Sequence, residues 1–110
     1  MSDDYIKNTI EEAIKNRKAI SFTYDKPGDF AKGVRIGYPH ALYYTKSTNK
    51  TKLDVYQISG DSTDRNSIPD WRPFDIKYIK TIEIIYNQTF NVQTGYNPNS
   101  TIYIDYIIKI

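Results

Sequence analysis

The spacing of apolar positions changes period along this chain of 110 residues. Over 3–18, Ile6, Ile10, Ala13, Ile14 and Arg17 recur at three- and four-residue intervals, which predicts a helix with one apolar stripe. Ser2 or Asp3 can cap its start, and Lys15, Arg17 and Lys18 close it where the helix dipole favours cations. From Ile20 the period drops to two: Ile20, Phe22 and Tyr24 alternate with Ser21 and Thr23 as a first strand. Lys26-Pro27-Gly28-Asp29 reads as a turn. A second strand puts Val34, Ile36 and Tyr38 on one face and Arg35 and Gly37 on the other, and Pro39 marks a bend or an edge. The polar, basic stretch 46–52 predicts a hairpin loop. Leu53, Val55 and Gln57 then alternate with Asp54, Tyr56 and Ile58 as a third strand.

Further on, 60–70 is rich in Asp, Ser and Asn and predicts a long surface loop. A short strand over 71–76 is interrupted by Pro73, a turn follows over 77–80, and 82–86 forms a last strand. Gly95-Tyr96-Asn97-Pro98-Asn99 is a strong turn signal. Beyond it, Ile102, Ile104, Tyr106, Ile108 and Ile110 alternate as in a strand, although Ser100 could instead cap a helix; propensity favours the strand. A helix followed by five short strands predicts an α+β, mainly β domain: a small antiparallel β-barrel of the SH3 or Sm type preceded by an N-terminal helix. The whole of 1–110 is expected to be one domain, with the helix at 3–18, the barrel at 19–86 and a C-terminal extension at 87–110. Ile6, Ile10 and Ile14 should pack on the sheet, with Phe22, Val34, Ile36, Val55, Phe74 and Ile82 as core.

Composition narrows the chemistry. There is no cysteine, which removes disulfides, thiolate metal sites and cysteine nucleophiles and fits a reducing cytoplasm. Fifteen basic residues against thirteen acidic leave a net charge of +2, too balanced to argue nucleic-acid binding from bulk charge. No run approaches the ~18 apolar residues of a membrane span, and no signal peptide is recognisable, so no membrane partner is expected. Aromatic residues make up 15% of the chain, eleven of them tyrosines, which suit half-buried sheet faces and binding surfaces equally.

Two arginines carry the candidate chemistry. Arg35 and Arg72 sit inside strand-like runs, where a buried guanidinium needs an anion or acceptor. Arginine is also the side chain best shaped to hold a phosphate or carboxylate with two parallel bonds. Arg35 either contacts a ligand in the space left by Gly37 or pairs with an acid such as Asp54. Trp71 beside Arg72 could offer a surface for stacking a base, or act as a core plug beside a solvated arginine. Lys46, Lys50 and Lys52 form a basic loop that could meet phosphates or simply be a solvated hairpin tip. His40 is the only histidine, so it builds neither a triad nor a metal site. Asp61, Asp64 and Asp70 lack the glycine and glutamate of a calcium loop. Without a phosphate-cradling glycine loop or nucleophile elbow, no catalytic residue, metal or cofactor is expected.

The order of these segments resembles the WYL domain, a small SH3-like β-barrel of bacterial and phage regulators. The resemblance runs from Ile10 to Ile85. It rests on Ala13-Ile14-Lys15-Asn16-Arg17-Lys18 before Ile20, Phe22 and Tyr24; on Arg35, Pro39 and Leu42; on Val55-Tyr56-Gln57 and Gly60; and on Trp71-Arg72-Pro73-Phe74 with Ile76 and Ile79. Phe90 with Gly95-Tyr96-Asn97-Pro98 is similar to the tail of short stand-alone members. The tripeptide that names the family is replaced by Leu53-Asp54-Val55, and Asp75 and Tyr78 stand where basic residues usually follow the phenylalanine. The resemblance implies a non-enzymatic module that binds single-stranded nucleic acid or a nucleotide-like anionic ligand in a regulatory or phage–host role. With the residue readings above, the expected contacts are Arg35, His40, Tyr56, Trp71 and Arg72, with Lys46, Lys50 and Lys52 as a basic loop. A second reading is a protein-interaction or structural subunit, phage-encoded or forming a homo-oligomer, that uses its tyrosine-rich surface and terminal strand.

Overall fold

The computed structural model describes residues 2–62 and 67–110. Helix α1 runs Asp3–Lys15; Ser2 Oγ accepts from the Tyr5 amide at 3.1 Å, and Asp3 and Asp4 occupy its first turn. Arg17 takes a left-handed backbone (φ 54°) and ends the helical path, so the helix stops short of Lys18, which already belongs to the sheet. Strands β1 (Lys18–Tyr24), β2 (Val34–Thr45), β3 (Lys50–Gly60), β4 (Asp70–Asp75), β5 (Ile79–Thr89) and β6 (Tyr106–Lys109) follow. All pairings are antiparallel, in the order β4-β3-β2-β1-β5, with β6 pairing the second half of β2. The expected five-stranded barrel is thus a six-stranded sheet that is not closed, because β4 and β5 end the path without pairing each other. No helix among the described residues is long and apolar enough to cross a membrane.

The apolar stripe of α1 meets one face of the sheet. Ile6, Ile10, Ala13 and Ile14 pack with Phe22, Leu42, Leu53, Val55, Phe74, Ile79 and Ile82 in one core. The phase of β2 is opposite to the expected one. Val34 is 53% exposed and Ile36 is half-buried, while Arg35, Gly37 and Pro39 face inward. Both faces of this strand carry apolar residues, so alternation alone could not choose between them. Close approach decides it: a Cβ on Gly37 would stand 2.3 Å from Val55 Cγ1. The long stem of Arg35, 2% exposed, fills the core on the same face.

Other boundaries shift for local reasons. Pro39 sits inside β2, next to a register shift between Pro39 and Ala41 that accommodates its missing N–H. Pro73 does not interrupt β4, because β4 is an edge strand. The basic stretch is a loop only at 46–49, and Lys50 and Lys52 are in β3. The expected 60–70 loop falls partly on 63–66, outside the described residues, and takes Asp64 with it. The tail divides: Ser100 caps a short 3-10 turn, Thr101–Tyr103, and only Tyr106–Lys109 is strand.

Candidate ligand-binding cleft

On a strand, neighbours point to opposite faces, and residues directly opposite on an antiparallel partner share a face. Tyr56 pairs with Trp71 and Asp54 with Pro73, so these four side chains lie on the sheet face away from the helix. Arg72 pairs with Val55 and shares the core-facing side with it. Trp71 and Arg72 therefore do not form the stacking pair their adjacency suggested.

The outer face carries a cleft of about 400 Å³, lined by Tyr43, Asp54, Trp71, Pro73, Tyr96 and Tyr103, with Arg72, Gly95 and Ile102 completing it. Tyr43 comes from β2, Asp54 from β3 and Trp71 from β4; Tyr96 and Tyr103 are brought over by the tail, whose last strand β6 pairs with β2. The rings form a continuous wall. Trp71 and Tyr96 are nearly parallel with centres 6.0 Å apart, Tyr96 and Tyr103 lie 5.9 Å apart, and Tyr103 meets Tyr43 edge-on at 5.0 Å. Tyr56 touches Trp71 edge-on at 5.4 Å.

Three contacts fix the wall. The Trp71 indole N–H donates to the Thr94 carbonyl at 2.9 Å, and the Tyr96 hydroxyl donates to the Ile110 carbonyl at 3.0 Å. Behind the wall His40, fully buried, touches Trp71 edge-on at 4.6 Å. The Gln93 amide donates to His40 Nε2 at 3.1 Å, so Nδ1 carries the proton and donates to the Tyr38 carbonyl at 2.8 Å. Burial drives the imidazole down to a pKa of about 4, and His40 is a neutral brace.

Asp54 is the polar feature of the cleft. Its Oδ1 accepts from the Tyr43 hydroxyl at 2.8 Å and its Oδ2 from the Tyr103 hydroxyl at 2.6 Å. Burial raises its pKa above the ordinary carboxylate value, and the two hydroxyls and the charge of Lys52 oppose that rise. No cation comes within ion-pair distance of it among the described residues.

The two arginines share the core-facing side of the sheet. Arg35 is 2% exposed; its Nη2 donates to the Ala31 carbonyl at 3.0 Å and pairs with Asp29 at 3.3 Å, so the acid is Asp29 rather than Asp54. Its guanidinium lies over the rings of Phe74 and Tyr24, at 5.3 and 5.5 Å. Arg72 Nη2 donates to Ser67 Oγ. The lysines separate: Lys46 stands 4.0 Å from Asp105, Lys50 lines a different cavity with Lys7 and Lys77, and Lys52 acts on Asp54. Trp71 and Arg72 thus line the cleft, with His40 and Tyr56 against Trp71, while Arg35 lies in the core. Asp54, Tyr43, Tyr96 and Tyr103 were missed as site residues, because only strand register and the docking of the tail bring them together.

No family model and no curated protein matches the chain. A solved structure, proteasome accessory factor B/C (PafBC) of Arthrobacter aurescens, is similar to it with a TM-score of 0.66 at 17% sequence identity. The similarity covers 84% of this chain and 13% of that one. At this identity the likeness is one of fold.

Proposed function

We propose that this chain is a non-enzymatic, WYL-like binding module of a regulatory system that takes single-stranded nucleic acid or a nucleotide-like ligand in the cleft around Trp71. The observation that carries the reading is the aromatic wall of Trp71, Tyr96 and Tyr103 along a cleft of about 400 Å³, a size typical of small-molecule sites. Stacking on such a wall accepts any base, because every base has a π-face. The fold shared with part of PafBC supports a regulatory binding role. In this reading Arg35 is a structural core residue and His40 a brace. The reading keeps two cations near the ligand: Arg72, which lines the cleft, and Lys52, whose charge acts on Asp54.

Trp71 is the single tryptophan, so its fluorescence reports on the cleft directly. Titration with short oligonucleotides and mononucleotides should quench it, more weakly as salt rises where phosphates contribute. Absence of any quenching or thermal shift across both sets would overturn the reading. The interaction-subunit alternative draws on a different feature: Ile102, Ile104, Tyr106 and Ile107 are exposed in the tail, Ile104 at 83%. A solution mass above that of one chain would favour it.

A further inference from the structure

A carboxylate is an acceptor with about four lone-pair sites. In Asp54 two of these are taken, one on each oxygen, by the hydroxyls of Tyr43 and Tyr103. The two tyrosines hold the carboxylate in place, and it lines the cleft with acceptor capacity left on both oxygens. Among the described residues no cation stands within ion-pair distance of this half-buried carboxylate and only the two hydroxyls donate to it, so the site favours a ligand that brings N–H groups. The wall is built of flat rings, and it favours a flat ring stacked against it.

We infer that the cleft selects guanine among the nucleobases, its two adjacent N–H donors meeting the two oxygens of Asp54; this rests on the nucleotide-binding reading above. The edges of the bases decide it. Guanine carries a ring N1–H beside its exocyclic amine, two parallel donors spaced for one carboxylate. Adenine and cytosine each place a ring-nitrogen acceptor next to their amine, and that lone pair repels a carboxylate oxygen. Uracil and thymine offer one N–H between two carbonyl acceptors. Hypoxanthine keeps N1–H and lacks the amine, and so isolates the second bond. A methylated ammonium would satisfy the charge of Asp54, but it is compact, and a cleft of about 400 Å³ bounded by a long aromatic wall suits a planar heterocycle better.

The test uses the unmodified chain first. Trp71 fluorescence, corrected against free tryptophan, is titrated with GMP, IMP, AMP and choline. GMP should bind ~5–150-fold tighter than AMP, the discrimination typical of a bidentate pair, with IMP between them. Asp54→Asn, confirmed as folded by circular dichroism, should weaken GMP and remove its preference, while AMP, relieved of the repelling carboxylate, should bind no more weakly than before. Equal affinity for GMP and AMP overturns the guanine assignment while the stacking reading stands. Quenching by choline without GMP binding makes the cleft a cation site and overturns the assignment. Loss of response to every nucleotide overturns both readings. Because the ligand series needs no variant, instability of Asp54→Asn does not shield the inference.

Discussion

The guanidinium carbon of Arg35 lies 5.3 Å from the centre of the Phe74 ring, in the middle of the core. The charge is held there by Asp29 and the Ala31 carbonyl, while the stem fills space between strands. Arg35→Ala removes packing and leaves Asp29 without this cation, so it should cost about 3–5 kcal/mol, the usual range for breaking a buried pair. Arg35→Lys should recover little of this, because it lacks the planar fork that stacks and pairs at once. Urea unfolding measures both; a change below about 1 kcal/mol for the alanine variant, within the reach of ordinary surface substitutions, would contradict a core role.

His40 gives the fold a pH dependence of known sign. Its pKa falls from the ordinary 6.5 to about 4 in the folded chain because burial disfavours the charged ring. The unfolded chain therefore binds a proton more readily between these values. The stability that neutral His40 supports is fully present above pH 6.5 and is lost as pH falls toward 4. A shift of this size corresponds to about 3 kcal/mol. Urea midpoints at pH 7 and 4.5 should separate in the native chain, and the gap should shrink in His40→Gln. An equal gap in both proteins would assign the acid sensitivity to other groups.

Gly95 places the wall of the cleft. It adopts φ +95°, and a Cβ there would come within 3.0 Å of the Trp71 indole nitrogen. Gly95→Ala should cost ~1–3 kcal/mol of backbone strain and displace the indole from Thr94. A red-shifted Trp71 emission would report the displacement. A variant with native emission and native melting temperature would show that the loop absorbs the change.

The helix and most of the core were legible in the sequence because period is a strong signal over 3–18 and 20–24. The phase of β2 was not, since Val34, Ile36 and Tyr38 make as apolar a row as the true inner face. An arginine reads as polar although Phe74, Tyr24 and Asp29 make it a core residue. The cleft was half legible. Trp71, Tyr56 and His40 were singled out, but no local pattern links Asp54 with Tyr103, 49 residues away. That contact exists because β6 pairs with β2 and carries the 3-10 turn over the face of β3. Tyr96 looked like part of a turn and is also part of the wall.

The bond from Tyr103 to Asp54 yields a prediction that separates charge from packing. Tyr103→Phe keeps the ring and removes the hydroxyl that donates to Oδ2 at 2.6 Å. A hydrogen bond to a charged group typically contributes about 1.5–3 kcal/mol, so the variant should lose that much at neutral pH. Burial already raises the pKa of Asp54, and the Tyr103 hydroxyl is the strongest influence restraining it. Removing it should raise the carboxyl further. A group whose folded pKa is raised holds its proton better in the folded state, so its unfavourable effect is felt above the folded pKa and fades as pH falls through it. The penalty of Tyr103→Phe should therefore be largest at pH 7 and smaller at pH 4, where Asp54 takes up a proton. Native and variant urea curves at both pH values, each difference taken at one pH, cancel the contribution of His40. A penalty equal at both values would mean that the hydroxyl acts by filling space and that Asp54 is not the charge it serves.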